Sequence, residues 1–173
     1  MEKETTISTL HQLLDYNTQH FIVGEVHLQQ ALKNWIEKAS AVKLKAIFQK
    51  YLEHIDHNVK SFEKFIDMER MNLISSEHKI LTTLIEDADK KYLYCSDPEI
   101  KDASLLASVQ VINHFKICAY GTAAAYANTL GMEEAGKLFK MAEINEKQID
   151  DRLSQMAEFE INKRAALPIV LPN

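Results

Sequence analysis

The sequence predicts an all-α protein: a single domain over residues 1–173, folded as an antiparallel four-helix bundle of two long hairpins joined by a short helix. The first supporting observation is a shortage of helix breakers, since the chain has 4 Gly and 3 Pro where average frequencies give about 12 and about 9. The second is that apolar residues recur at steps of three and four over long stretches, which is the spacing of one helix face. β-Sandwiches, barrels and doubly wound α/β folds need more turns than this chain supplies.

Five predicted helices follow one another with short connections. They cover, in order, about residues 6–38, 42–72, 78–93, 98–130 and 132–166, and an apolar tail at residues 167–173 follows them. In the first two helices, apolar stripes run from Leu14 to Trp35 and from Leu44 to Ile66. The third helix is too short to span a bundle, so we expect it to carry the chain along the bundle or across its end.

The fourth and fifth helices have recognisable end signals. Asp97 followed by Pro98 is typical of an N-cap with Pro at the first helical position. Gly131 ends the fourth helix, and the fifth places Phe139 and Leu153 on its inner face. Because connections of about 2 to 8 residues join sequence neighbours, the helices of each hairpin should run antiparallel.

Charge and composition exclude several classes of function. The formal net charge is -5, so the basic stripe of a nucleic-acid binder is not expected. No apolar run approaches the roughly 20 residues that span a bilayer, and the acidic, polar start MEKETTISTLHQ does not resemble a signal peptide. We therefore expect a soluble, cytoplasmic protein with no nucleic-acid or membrane partner. Cys95 and Cys118 form no CxxC pair, which argues against a disulfide framework and a structural zinc site.

The candidate functional residues are polar side chains that interrupt the apolar stripes, since chemistry in a helix bundle comes from groups that point inward. Glu25 lies in the stripe of the first helix between Phe21 and Leu28. A buried carboxylate without a partner is unfavourable, so a positive partner is implied. The alternative is a shift in the helix register that leaves Glu25 at the edge of the bundle.

The second and fourth helices add further polar groups. His54 flanks the apolar arc of the second helix and is either a hydrogen-bonded residue at the core edge or a ligand, whereas His57 lies nearly opposite the arc and should be solvated. In the fourth helix, Asn113 and Lys116 occupy the centre of the inner stripe, and His114 points away from it.

The fifth helix places Glu146 on its inner face, with Glu143 and Asp150 on the flank, where we expect partial exposure. One or two inward polar groups on each long helix is the layout of a carboxylate bundle that holds metal. A di-iron site, however, needs about four carboxylates plus nitrogen or oxygen donors, none of which is a cation. An ammonium at Lys116 can instead neutralise Glu25 and Glu146 directly, and it would repel a divalent ion from the same pocket.

Several stretches, taken in order, resemble the bacterial YciE/YciF family of stress-associated, ferritin-like proteins. The most specific is DASLLASVQVINHFKICAYGTAAAYANTLGMEEAGKLF at 102–139, where the family typically has an Asp-Ala start, a Glu-His-Tyr-Glu centre, an Ala-Tyr-Gly-Thr run and a Leu-Gly turn. Supporting matches are GEVHLQQAL at 24–32, YLEHIDHNVKSFEKF at 51–65, LIEDADK at 84–90 and NEKQIDDRL at 145–153.

The resemblance implies a ferritin-like bundle, usually dimeric, whose inward carboxylates can hold a di-metal centre. The positions that keep the family's acidic residues are Glu25, Glu146 and Asp150. The others depart from the pattern. His54 stands where the second helix usually has Glu, and Asn113 and Lys116 stand where the fourth helix has the two Glu of its Glu-His-Tyr-Glu segment.

Three hypotheses follow. The leading one is a non-catalytic, stress-associated bundle without a cofactor, in which a network of Lys116 with carboxylates replaces the metal centre. The second is a protein that binds iron, manganese or zinc through Glu25, His54, Glu146 and Asp150, with redox or metal-handling activity. The third is a structural or regulatory oligomer, expected as a homodimer. No motif of a hydrolase or kinase is present.

Overall fold

The computed structural model describes residues 6–69 and 78–166 of the chain, all of whose regular elements are helical. The helices are α1 (Leu10–Lys38), α2 (Val42–Glu69), α3 (Lys79–Tyr94), α4 (Pro98–Thr129) and α5 (Glu133–Met156), followed by a π-helical turn (Ala157–Ile161) and the short α6 (Asn162–Ala165). Helix α1 packs on α2 and α4 on α5, which gives the two hairpins, and α3 packs mainly on α4. The predicted all-α, four-helix bundle is confirmed.

Two of the predicted helices differ from the structure by more than one residue within the described part of the chain. Helix α1 begins at Leu10 rather than at residue 6, because the Thr9 hydroxyl accepts a hydrogen bond from the backbone N–H of Gln12 at 3.1 Å and caps the helix there. The last predicted helix is interrupted at 157–161 by the π-helical turn. The predicted end of the second helix at 70–72 and the apolar tail at 167–173 lie outside the described residues.

Asp102 joins the two hairpins. Its carboxylate, on α4, accepts hydrogen bonds from the backbone N–H groups of Ser40 (2.8 Å) and Ala41 (2.7 Å), directly before α2. The side chain is buried. It therefore satisfies N–H groups at the start of another helix, where no helical partner exists for them and negative charge is favoured. The sequence motif did not reveal this role.

Replacing Asp102 with Ala should lower the free energy of unfolding by about 2 kcal/mol, because two buried N–H groups lose a charged acceptor. Chemical denaturation measures this change. Asp97→Ala is the matched control: Asp97 is the N-cap of α4 but makes no capping bond through its side chain, so its change should stay within about 0.5 kcal/mol. Equal effects of the two substitutions would contradict the role assigned to Asp102.

Among the described residues, the hydrophobic core consists of two clusters stacked along the bundle axis. One contains Leu28, Trp35, Phe48, Ile55, Ile112 and Ile149 among others. The second contains Leu14, Phe21, Phe62, Phe65, Ala123 and Phe139 among others. The four long helices each pass from one cluster to the other, and the polar side chains described next lie at this boundary. No helix in the described part of the chain is long and apolar enough to span a membrane.

Candidate functional site

A layer of buried polar side chains separates the two apolar clusters. Each long helix contributes a polar residue that lies between a residue of one cluster and a residue of the other. On α1, for example, Glu25 lies between Phe21 and Leu28. The members that are less than 4% exposed are Glu25 on α1, Tyr51 and Asn58 on α2, Asn113, Lys116 and Tyr120 on α4, and Glu146 on α5. We refer to these seven residues as the polar layer.

Lys116 is the centre of the polar layer. Its Nζ lies 2.9 Å from Oε2 of Glu25 and 2.7 Å from Oε1 of Glu146, and it donates a hydrogen bond to the hydroxyl oxygen of Tyr51 at 3.2 Å. The ammonium is also 4.8 Å from the centre of the Tyr51 ring and 5.8 Å from that of Tyr120. It is thus surrounded by two carboxylates and two aromatic faces, all of which favour a positive charge.

Glu146 is held by three further hydrogen bonds. The Tyr51 hydroxyl donates to its Oε2 at 2.6 Å, and Nδ2 of Asn113 donates both to the same Oε2 at 2.7 Å and to the backbone carbonyl of Glu146 at 3.0 Å. The Tyr120 hydroxyl donates to Oε1 of Glu25. Side chains from all four long helices are therefore linked through Lys116 into one buried hydrogen-bonded network.

The network holds one cation and two carboxyl groups, so it has one negative charge in excess when both carboxyl groups are ionised. The shifts in pKa indicate which of its groups takes up a proton. Burial raises the pKa of Glu25 to about 7; the charge of Glu146 acts in the same direction, and that of Lys116 opposes it. Burial alone would lower the pKa of Lys116, but Glu146 and Glu25 outweigh it and raise that pKa above its usual value. Lys116 thus stays charged, and Glu25 is the acid that can take up a proton near neutral pH.

Tyr51 stays protonated in this setting. Burial raises its pKa well above the usual value, and the charges of Glu146 and Glu25 add to the effect. Its hydroxyl can therefore serve as a stable donor to Glu146 while its oxygen accepts from Lys116. The sequence carries a signal for this arrangement that its stripes alone did not reveal: a Tyr in an apolar stripe needs a partner for its hydroxyl, so Tyr51 and Tyr120 indicate inward polar groups.

The residues at the centre of the bundle do not fit a metal ion. The Lys116 ammonium occupies the space between Glu25 and Glu146 and contacts an oxygen of each, so a divalent ion placed there would meet a positive charge. Across 6–69 and 78–166, no group of three His, Cys, Asp or Glu side chains is arranged to hold a metal.

The structure separates the six predicted site residues into two groups. Glu25, Asn113, Lys116 and Glu146 meet in the polar layer, and the buried position of Glu25 contradicts the register shift considered for α1. The other two lie further out. His54 is only half-buried, and Asp150 pairs with the exposed His114 at 2.9 Å. His57 and His114 are exposed, as predicted.

The predicted partial exposure of Glu143 is wrong. Glu143 is buried, and its two oxygens form ion pairs with Lys140 and Lys147 of the same helix. Gly121 on α4 makes this possible, since a Cβ atom at that position would lie 3.3 Å from the Glu143 carboxyl carbon. The two lysines cover the carboxylate and hold its pKa below the usual value.

Comparison with known proteins gives the family. The model of a family described as a domain of unknown function, DUF892, matches residues 9–166, which is most of the chain. The chain belongs to the DUF892 family. Protein YciF of Escherichia coli (strain K12) is 31% identical to it over 148 residues, or 82% of this chain and 86% of YciF. The resemblance to the YciE/YciF family inferred from the motifs is confirmed.

Solved structures support the similarity to YciF and the ferritin-like fold. The E. coli stress protein YciF superimposes with a TM-score of 0.85 at 26% identity, covering 91% of this chain and 99% of YciF. YcfI of Rhodopseudomonas palustris superimposes with a TM-score of 0.83 at 22% identity, covering 89% of this chain and 97% of YcfI. A two-domain protein of Anabaena variabilis, with DJ-1/ThiJ/PfpI-like and ferritin-like domains, superimposes with a TM-score of 0.58 at 19% identity. The match covers 96% of this chain and 40% of the two-domain protein.

Proposed function

We propose that this DUF892 protein is a non-catalytic scaffold with a stress-associated role, in which a lysine–carboxylate network replaces the di-metal centre of ferritin-like proteins. The observation that carries the proposal is the position of Lys116 Nζ, 2.9 Å from Glu25 and 2.7 Å from Glu146. A protein cation then neutralises the carboxylates that a metal would otherwise bridge. The similarity to the E. coli stress protein YciF supports the stress-associated role.

The proposal includes a cytoplasmic homodimer that has no nucleic-acid partner and needs no cofactor. The net charge of -5 supports the exclusion of nucleic acid. In such a scaffold the polar layer fixes the relative positions of the four helices, because each carboxylate finds its partners in only one register. Any activity toward other molecules would then reside on the surface of the bundle.

A metal-binding protein with redox or metal-handling activity is the second candidate. The observation that favours it is the imidazole of His54, whose buried Nδ1 has no hydrogen-bond partner among the described residues. With the carboxylates of Glu25 and Glu146, and Asp150 beyond them, an imidazole would suit iron, manganese or zinc. This candidate requires the Lys116 ammonium to leave the space between the carboxylates.

Metal content distinguishes the two candidates. Tag-free protein dialysed against Mn(II), or anaerobically against Fe(II), is expected to retain less than about a tenth of an ion per chain, because Lys116 opposes the metal charge. Mass spectrometry of the metal measures this ratio. The gain-of-function variant Asn113→Glu with Lys116→Glu, which supplies the carboxylates that the family resemblance implies, should retain more metal than the parent.

The control for nonspecific binding is Glu133→Gln, a change on the surface of α5. It should leave the metal content of the parent unchanged. Stoichiometric metal in the parent protein, lost on Glu25→Gln or Glu146→Gln but not on Glu133→Gln, would overturn the scaffold proposal and establish the metal-binding alternative.

A further inference from the structure

A cavity of about 520 Å³ opens on the side of the bundle where α1, α3 and α4 meet. Its lining includes Tyr16 and Phe21 of α1, His78 and Ile80 at the start of α3, and Phe115 and Ala119 of α4. The volume lies within the range of about 300 to 1,000 Å³ that is typical of small-molecule sites. Neither the polar layer nor the scaffold proposal accounts for this cavity.

Half of the described residues that line the cavity carry rings; these are Tyr16, His20, Phe21, His78 and Phe115. The His78 ring meets the Phe115 ring edge-to-face, with centroids 5.5 Å apart and planes at 86°, and the His20 ring lies 6.1 Å from His78 at 78°. The Tyr16 ring contacts the His20 ring, with centroids 4.0 Å apart and planes tilted by 38°. Faces and edges of rings arranged in this way favour contact with a further planar ring.

His78 supplies a hydrogen-bond donor in this wall. Its Nδ1 accepts a hydrogen bond from the backbone N–H of Leu81 at 3.2 Å and so caps α3. The neutral ring therefore carries its proton on Nε2, which is a donor. Burial lowers the pKa of His78, and the neighbouring His20 and His27 add to this effect, so the donor is a neutral imidazole at physiological pH.

Gly24 fixes the position of this histidine. A Cβ atom at residue 24 would lie 2.8 Å from a methyl carbon of Leu81 and 3.0 Å from the His78 ring. Glycine is unfavourable within a helix by about 1 kcal/mol relative to Ala. Its presence in the middle of α1 therefore allows the start of α3 to approach closely and places the His78 ring in the cavity wall.

A second, much smaller cavity lies behind the first. It has a volume of about 10 Å³, which is room for roughly one water molecule. Both cavities are lined by Phe21, His78, Phe115 and Ala119, and the smaller one reaches Glu25, Lys116 and Tyr120 of the polar layer. The large cavity therefore ends close to the buried network rather than at an apolar wall.

We propose that the large cavity binds a neutral, planar aromatic molecule of one or two rings that carries an oxygen able to accept a hydrogen bond from His78. The aromatic walls would contact the rings, and the histidine would orient the oxygen. No carboxylate is found among the described residues of the lining, which disfavours a cationic ligand. Among the lining residues that the structure describes, the one charged side chain is Lys79, which is exposed, so an anion would find no buried cation there.

Binding of 1-naphthol tests the proposal. Isothermal calorimetry on the whole chain should give one site per chain with a dissociation constant below about 100 μM. 1-Methylnaphthalene, which has the rings without the oxygen, should bind about tenfold more weakly, and so should 1-naphthol to the His78→Asn variant. Asn is a favoured N-cap residue, so this variant keeps the start of α3 while it removes the imidazole donor.

Two variants of α4 locate the site. Ala119→Leu fills the region shared by both cavities and should weaken 1-naphthol binding at least about tenfold. Ala125→Leu, at an exposed position of the same helix, is the matched control and should leave the binding unchanged. Thermal unfolding followed by circular dichroism verifies that each variant is folded.

Four results would overturn the proposal, three from the titrations and one from light scattering. The first is the absence of saturable 1-naphthol binding up to about 1 mM, and the second is equal binding by the Ala119→Leu and Ala125→Leu variants. The third is tighter binding of 1-naphthoate that is lost on Lys79→Ala, which would identify an anion site instead. Light scattering accompanies the titration: a dimer that dissociates only in Ala119→Leu would assign the cavity to a second copy of the chain.

Discussion

Replacement of Lys116 with Met should lower the free energy of unfolding by about 3 kcal/mol or more at pH 8, because the buried carboxyl groups of Glu25 and Glu146 lose their only close ammonium among the described residues. The Met side chain has a similar length and no charge, so the change removes the ion pairs with little loss of volume. Urea denaturation of parent and variant measures the difference.

An exposed lysine provides the control for Lys116→Met. Lys137 pairs with Glu134 at 2.8 Å, but both side chains are largely exposed, at 69% and 81%, and such exposed pairs contribute little to stability. Lys137→Met should therefore change stability only slightly. If Lys116→Met is as stable as the parent, the network does not hold the bundle in the way described here.

A rescue experiment separates charge from packing. If the instability of Lys116→Met arises from uncompensated carboxylates, then adding Glu25→Gln and Glu146→Gln should recover a large part of it, because amides remain hydrogen-bonded without charge. Buried ion pairs can often be replaced by uncharged residues at no net loss of stability. A triple variant as unstable as Lys116→Met alone would indicate that lost packing is the cause.

The pH dependence of stability should depend strongly on Glu25. Burial raises its pKa from 4.5 to about 7, so the folded protein binds this proton more tightly than the unfolded chain does. The resulting stabilisation is fully present below about pH 4.5 and is lost as the pH rises to 7. The stability of the parent relative to Glu25→Gln should therefore fall by about 3 kcal/mol between pH 4.5 and 8.

Comparison of parent and variant isolates Glu25 from the other titrating groups. Burial lowers the pKa of His54 and of His78, so each of these opposes folding as the pH falls, but both are present in the two proteins and largely cancel. Glu134→Gln gives a control of opposite sign, because the hydrogen bond from Lys137 lowers the pKa of Glu134. Parallel stability curves for the parent and Glu25→Gln would refute the role assigned to Glu25.

The polar layer explains why a bundle with a strongly apolar core retains charges at its centre. Helices joined by apolar contacts alone could slide along each other by one helical turn with little change in buried area. Glu25, Lys116 and Glu146, in contrast, meet in only one register of the helices. A layer of this kind favours a single helix alignment at some expense of stability. This property suits a scaffold, which must present its surface in a fixed geometry.

The sequence by itself determined the helices, their order and the inward position of Glu25, Asn113, Lys116 and Glu146. These features depend on periodicity and on end signals such as Pro98 and Gly131, which are local along the chain. The inference that Lys116 would neutralise Glu25 also came from the sequence, because a buried acid needs a cation and the facing helix offered one.

Only the tertiary structure showed which of the inward groups contact each other. A helical wheel gives the direction of a side chain but not its height along the bundle, so His54 and Asp150 were grouped with residues that they do not join. The trans-helix cap by Asp102, the Tyr51 and Tyr120 hydroxyls, and the cavity beside Gly24 all depend on where two helices cross. Crossing positions are set by packing between residues far apart in the chain, and no local pattern encodes them.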